Sequence, residues 1–574
     1  MSPLTKKVHW PAALCALVLG MHALLLGWSA AANSATFDEP AHLAAGTAYW
    51  RHGDFSIYSL SPPLLRLWAA LPAVLAGAAS PGTADAWQHS LANRHWYYAD
   101  QFVYANFARF PLLLLLARWG MIPLSCFTAW ITYRWAGALY GRGSGVVAAA
   151  LYCFNPDVLA HGSLATTDIG TAAAILAACW LWWRFCLSPS AGKWILALVA
   201  VTAAHLCKFT AVLLWPMMLA IALPIASGLP GFRKLMLAWI GLGAAMVLVL
   251  NALYGFAGTG QALGDFHFAS AMMTHLQSRL PARLPVLMPR LLVLGLDAQK
   301  SDTQSGYQGF LFGQMYSGVQ WYYYPAALLC KLPVSVLVLG VAAAISLLRG
   351  PGRLWTQGRR AERAMLEAGL IYACGVLFLS DLNIGVRYLL PAFPFAMIVI
   401  SRLWERAITG SGGALRWGRN GLLALAVLEA MWVCPRFLSF INFAAGGPGS
   451  GWHLLTDSDF DWGQGLIDLR KWMQRNSVPS VTLWYFGLVD PAVYGVQSKP
   501  IIDDEQLVGI SSYYLNGLEN RMVTGAQQRA YIQLNYYRSL QAQRPLAVVG
   551  NTIFIYPRRV VELAAAQAKL AAGP

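Results

Sequence analysis

The chain has 574 residues, of which 57% are hydrophobic and 11% charged, against about 25% charged in an ordinary soluble domain. That balance excludes a soluble globular protein, a disordered chain and a nucleic-acid binder, although the formal net charge is +16. Nine cysteines without a C-x-x-C spacing exclude a zinc knuckle and a disulfide scaffold, and read as small buried thiols.

A membrane-spanning helix needs about 20 mostly apolar residues. Eleven runs approach that length, near residues 11–31, 112–134, 144–160, 167–187, 193–209, 211–227, 235–255, 324–348, 364–380, 388–404 and 420–441. The first is long for a signal peptide and has no clear small-residue cleavage site. A twelfth stretch, residues 62–79, is shorter and carries Arg66 and Pro72. It reads as a helix lying on the membrane surface.

Lysine and arginine collect in cytoplasmic loops of membrane proteins. With the N-terminus inside, alternate loops hold Lys6 and Lys7; Arg134 and Arg142; Arg184 and Lys193; Arg233 and Lys234. The next holds Arg349, Arg353, Arg359, Arg360 and Arg363, and the last Arg402, Arg406, Arg416 and Arg419. Only Glu362 and Glu405 oppose them there. The basic balance is therefore mostly a topology signal, and eleven spans put the C-terminal region outside.

The chain divides into a membrane domain, residues 1–441, with a first outer loop at 32–111, and an outer domain, residues 442–574. Gly446-Gly447-Pro448-Gly449-Ser450-Gly451 reads as a flexible junction. Beyond it, residues 466–474 predict an amphipathic helix and 480–486 a strand. Residues 546–549 and 553–556 flank the turn pair Gly550-Asn551. This pattern predicts a small α/β module.

Five polar clusters stand at the outer ends of the spans. Phe37-Asp38-Glu39-Pro40-Ala41-His42 offers two adjacent carboxylates, suited to a general base with an orienting or metal-binding neighbour. It equally fits a helix start, since proline suits the first turn. Glu39 and His42, three apart, share a helix face and form a candidate metal pair. His161-Gly162-Ser163-Leu164-Ala165-Thr166-Thr167-Asp168 reads as a cap for the next span or as a substrate contact. Lys208 stands where the topology disfavours a cation, as a snorkelling side chain or a phosphate contact. Arg387 opens the tenth span, where a guanidinium suits phosphate oxygens. Lys331 is a further candidate cation, placed inside the eighth span. Asp457-Ser458-Asp459-Phe460-Asp461 can bind a cation or a sugar, or cap a helix. These carboxylates do not demand a metal, although a divalent cation is compatible with them. No nucleotide-binding glycine loop is present, so a lipid phosphate reached from the bilayer is the simplest phosphorylated substrate.

The motifs FDEPAH with a following GD and PPL, AHGSLATTD, CKF, KLP, NIGVRYLLP and DSDFDWGQ stand in one order. Over most of residues 30–470 they resemble the multi-spanning glycosyltransferases that use polyprenyl-phosphate sugars. These include bacterial aminoarabinose transferases and protein O-mannosyltransferases. The resemblance implies an α-helical polytopic membrane protein of the GT-C type, with an extracytoplasmic α/β domain at its C-terminal end. It implies inverting hexosyl or pentosyl transfer at the outer, periplasmic face of the inner membrane. The partners would be the lipid bilayer, a polyprenyl-phosphate-linked sugar and an acceptor that is protein, lipid or cell-wall glycan. Asp38, with Glu39 beside it, would act as base or orient the acceptor. Lys208 and Arg387, with Lys331 as a third cation, would hold the phosphate. Tyr388 and Asp168 would line the same cavity. His42, His161 and Asp461 would contact the acceptor or a metal. Two rival readings are a flippase for a lipid-linked sugar, which needs access from both faces, and a non-catalytic scaffold whose outer domain binds a partner.

Overall fold

The computed structural model describes residues 10–91, 93–226, 228–304, 308–349, 359–379, 382–405, 413–499, 506–518, 521–523, 529–531 and 537–572. Lys6, Lys7, Arg353 and Arg406, counted above among the inner cations, lie outside the described residues.

The chain is a mostly helical multi-pass membrane protein with small sheets near its C-terminal end. In hydrocarbon every backbone polar group must be satisfied within the segment, so the apolar runs become helices. The first is α1, Trp10–Ala32. It turns Leu14, Leu17, Leu24 and Trp28 outward and buries His22, Leu26 and Ser29. Among the described residues, five helices are long and apolar enough to cross a membrane: α1, Phe110–Tyr140, Asp168–Leu187, Gly228–Leu253 and Val386–Trp404. Other expected spans form shorter helices, such as Ala191–His205 and Phe209–Ile225.

Two runs differ from a simple span. The run at 144–160 divides into Arg142–Cys153 and Pro156–Gly162, because Asn155 accepts hydrogen bonds from the Asp157 and Val158 amides and starts a new helix. The run at 324–348 breaks at Leu332-Pro333 into α-helices Tyr323–Lys331 and Val334–Leu348, bent by 119°. Proline cannot donate into the helix ladder, and the chain turns there.

The region expected as a first outer loop is largely helical. It holds α2 (Glu39–His52), α3 (Leu64–Leu75) and α4 (Arg94–Ala105). Helix α3 lies within the stretch read as a surface helix. It exposes Trp68, Leu71 and Leu75 and buries Leu65, Arg66, Ala69 and Ala73. Gly46 lets α2 approach it closely, because a Cβ there would stand 2.2 Å from the Arg66 carbonyl oxygen.

The glycine-rich stretch at 446–451 belongs to two short 3-10 turns packed against Trp432, Phe460 and Ile441, rather than to an open linker. Beyond it lies a five-stranded mixed sheet, in the order Ser498–Lys499, Val481–Trp484, Leu507–Ser511, Ile553–Pro557, Ala547–Val549. The first two pairings are parallel and the last two antiparallel. The turn at Gly550 and Asn551 takes φ of 59° and 67°, as the tight hairpin requires. Helix Leu466–Arg475 buries Leu466, Leu469 and Met473 and leaves its polar face out.

Of the cysteines, Cys126 and Cys434 are half-buried and Cys374 is exposed on its helix, which departs from the expectation of nine buried thiols.

Candidate active site

The segment before α2 is pinned to the segment at Trp462, Gly463 and Gln464. Phe37 N–H donates to the Trp462 carbonyl at 2.8 Å, and Ser34 N–H to that of Gln464 at 3.1 Å. The Ser34 hydroxyl donates to the Gly463 carbonyl at 3.0 Å. These bonds fix the start of α2, where Asp38 stands in the cap position without a capping bond from its side chain.

Freed from capping, Asp38 faces a cavity of about 1230 Å³ lined also by His42, Asp168, Lys208, Arg387, Tyr388, Asp457 and Trp462. Arg387 Nη1 lies 2.9 Å from Asp38 Oδ2 and 3.8 Å from Asp168 Oδ2. Lys208 Nζ lies 2.7 Å from Asp168 Oδ1. The Tyr388 ring sits under both cations, 4.4 Å from Lys208 Nζ and 5.4 Å from the Arg387 guanidinium carbon. The Trp462 ring also faces that guanidinium, 4.4 Å from its carbon. Two cations thus meet two carboxylates, and the Asp38 side chain, 20% exposed, is the most open of the four. Asp168 opens its helix, yet its carboxylate binds Lys208 rather than free amides, and Thr167 makes no side-chain cap.

His42 lines the cavity and stacks on Tyr58, with ring centres 5.1 Å apart. Burial and then the Arg66 charge hold its imidazole well below the ordinary range, so it is neutral. Asp457 is pushed up to about 7, by burial and by the charges of Asp38 and Asp459, against the pull of Arg387.

Four expected site residues do not line this cavity. Glu39 turns away from Asp38. It accepts from Arg118 Nε at 2.8 Å and Nη2 at 2.6 Å, from the Thr36 amide and hydroxyl at 2.9 and 3.0 Å, and from the Ala165 amide at 2.8 Å. Burial would raise its pKa, but Arg118 and these bonds hold it below the usual carboxylate range. Glu39, read above as an orienting or metal-binding neighbour of Asp38 and as half of a Glu39–His42 metal pair, is held by Arg118 instead. The helix does bring the two residues near one face, but both Glu39 oxygens are already committed.

Lys331, expected as a phosphate contact, is buried elsewhere. Its Nζ donates to the carbonyls of Leu438 and Asp459, both at 2.8 Å, and lies 3.2 Å from Asp157 Oδ1. Asp461 accepts from the hydroxyls of Ser511 and Ser512 at 2.5 and 2.9 Å and ties the loop to the sheet. His161 is fully buried and meets Trp462 edge-on at 6.2 Å. Among the described residues, no group of three or more His, Cys, Asp or Glu is arranged to hold a metal ion.

Sequence reasoning missed Arg118, Arg66, Tyr58 and Asp157. Arg118 carried a usable signal, since it is a cation in the interior of the apolar run at 112–134 and such residues are costly there. Asp157 carried the same signal, as a carboxylate within the apolar run at 144–160, but nothing local pointed to its partner Lys331.

Residues 114–254 match the family model of dolichyl-phosphate-mannose-protein mannosyltransferases. The resemblance drawn from the motifs is thus met by a family model over that part of the membrane domain. No curated protein matches the chain. Among solved structures, the chain is similar to ArnT from Cupriavidus metallidurans bound to undecaprenyl phosphate, at 11% identity and a TM-score of 0.43. That likeness covers 93% of this chain and 99% of the other. It is also similar to the Archaeoglobus fulgidus oligosaccharyltransferase in the apo form, at 11% identity and a TM-score of 0.44, over 95% of this chain and 76% of the other.

Proposed function

We propose that the protein is a membrane glycosyltransferase that moves a sugar from a polyprenyl-phosphate donor to an acceptor hydroxyl. One observation carries this reading: Asp38, Asp168, Lys208, Arg387 and Tyr388, scattered along the chain, meet on the wall of one cavity. The matched mannosyltransferase model supports the same class.

The chemistry follows from the charges. The acceptor oxygen attacks the anomeric carbon while the bond to the donor phosphate breaks. The phosphate keeps the bonding pair, and Arg387 and Lys208 stabilise its charge. Asp38 takes the acceptor proton. A phosphate leaving group needs little protonation, so one working carboxylate suffices where glycoside hydrolysis uses two. Attack opposite the departing phosphate inverts the anomeric centre. A phosphate that takes over Arg387 frees the Asp38 carboxylate from its ion pair, so that it can meet the acceptor hydroxyl.

The remaining wall bears on the acceptor. It carries Asp85, Asp100, Asp302, Asn93, Gln101 and Gln299, and among the described residues the only cations lining the cavity are Lys208 and Arg387. Such a wall favours an acceptor that presents hydroxyls there rather than phosphate. The basic loops support a cytoplasmic N-terminus, with the cavity and residues 442–574 at the outer face. Arg387 and Arg402 stand near opposite ends of the Val386–Trp404 span, which fits that separation.

Asp38→Asn tests the reading. In proteoliposomes loaded with lipid-linked sugar, it should lower transfer by at least about 10²-fold while membrane insertion and donor binding persist. Full activity in that variant would remove Asp38 as the base.

A further inference from the structure

Arg387 follows an irregular stretch whose backbone is held from outside. The Leu382 carbonyl accepts from the Tyr324 hydroxyl at 2.7 Å. Asn383 Nδ2 donates to the Gln320 carbonyl at 2.7 Å. The Ile384 carbonyl accepts from the Ser458 hydroxyl, and Val386 N–H donates to Asp459 Oδ1 at 2.8 Å. The two contacts nearest Arg387 therefore come from one short loop, at Ser458 and Asp459.

That loop is itself anchored. Asp459 Oδ2 accepts from the Tyr323 hydroxyl at 2.9 Å, and the Asp459 carbonyl accepts from Lys331. Gly385 sits at φ 153° against it, where a Cβ would lie 2.2 Å from Ser458 Oγ. Trp462, three residues further on, covers the Arg387 guanidinium. One short loop thus grips the backbone beside Arg387 and faces its charged end.

We propose that Asp459, with Ser458, is a positioning group for Arg387, so that this loop sets the affinity of the site for the donor phosphate. The inference rests on Arg387 being a phosphate contact. A displacement of about 1 Å in such a clamp is enough to cost about 10²-fold in rate or binding.

The test uses purified full-length protein, polyprenyl phosphate in detergent micelles as the binding probe, and transfer kinetics. Asp459→Ala should raise the Kd for polyprenyl phosphate, and the donor KM, by about tenfold or more, with kcat at saturating donor much less affected. Asp459→Asn keeps an acceptor for Val386 N–H and a donor for the Tyr323 oxygen, and should restore both constants. A merely structural role would lower folded yield and kcat together and leave KM in place. If Asp459→Ala does not fold, Ser458→Ala removes only the Ile384 contact and should shift Kd in the same direction by less. Wild-type Kd and KM in folded Asp459→Ala, or in Ser458→Ala where it stands in, overturn the inference. Arg387→Ala in the same assay separates the two ideas. Unchanged binding there refutes the phosphate site itself. Lost binding there, with Asp459→Ala unaffected, refutes only the positioning role.

Discussion

Glu39→Ala leaves the guanidinium of Arg118 without its counter-charge inside the protein. The Arg118 and Glu39 side chains are 2% and 0% exposed. Breaking a buried pair by removing one partner costs about 3–5 kcal/mol. Arg118 keeps its bonds to the Ala30, Asn33 and Ser34 carbonyls, which softens the loss. The Thr36 and Ala165 amides lose their acceptor, which adds about 1–3 kcal/mol for each left unsatisfied. The total lies at or above the upper end of the first range. The assay is unfolding of the purified protein in detergent, followed by tryptophan fluorescence.

Two controls give the Glu39 experiment its force. Arg118→Met added to Glu39→Ala removes both charges and should recover much of the loss. Because Glu39 is held below its ordinary pKa, its stabilisation is present above the unfolded value of about 4.3 and is lost as pH falls through the folded value. The deficit should therefore be the same at pH 6 and pH 8. Glu39→Gln decides the role. It should be less stable than wild type, yet retain transfer well above the roughly 10²–10⁴-fold loss that follows removal of an acid–base group. A Glu39→Gln protein as stable as wild type and inactive would refute the reasoning and make Glu39 a reacting group.

Asp457 should behave in the opposite sense to Glu39. Its folded pKa, about 7, lies above the unfolded value of about 3.9, so the stability it contributes is full below the unfolded value and lost as pH rises to about 7. Asp457→Asn should gain stability on wild type between pH 4 and 7 and no more above, read by unfolding across that range; parallel profiles would count against it. Ionised Asp457 also adds negative charge near Arg387, so donor Kd should rise above pH 7 in wild type and stay flat in the variant. Lys331→Met leaves Asp157 buried without a counter-charge, at about 3–5 kcal/mol. Size-exclusion profiles should show aggregation, and Asp157→Asn added to it should restore a folded peak.

The motifs made the cavity legible where a residue's own neighbours advertised it. Asp38, Asp168, Lys208, Arg387 and Tyr388 each sit at the end of an apolar run, where a polar side chain has few structural reasons to be. What was hidden was pairing. Glu39 stands beside Asp38 in sequence but turns to Arg118, 79 residues away, so adjacency suggested a dyad that packing dissolves. Lys331 and Asp157 pair across a gap more than twice as long, and the local sequence of neither records the other. The helix and hairpin of the C-terminal region followed from local pattern, because an amphipathic period and a Gly-Asn turn are local facts. The break at Leu332-Pro333 was signalled by its proline, yet length and hydropathy alone made 324–348 look continuous.

That break bears on how the chain is assembled. Its two helices have nine and fifteen residues, about 14 and 22 Å at 1.5 Å per residue, and neither alone crosses about 30 Å of hydrocarbon. The polar groups freed at the bend are met by later sequence. Asn442 donates to the Leu329 and Leu332 carbonyls, and Glu429 accepts from the Val334 amide and the Ser335 hydroxyl. These partners lie 94 to 113 residues downstream. A ribosome that has just released the bend has not yet made the residues that satisfy it. Synthesis and completion thus run in different orders here, and the middle of the membrane domain is finished only when its last helix arrives.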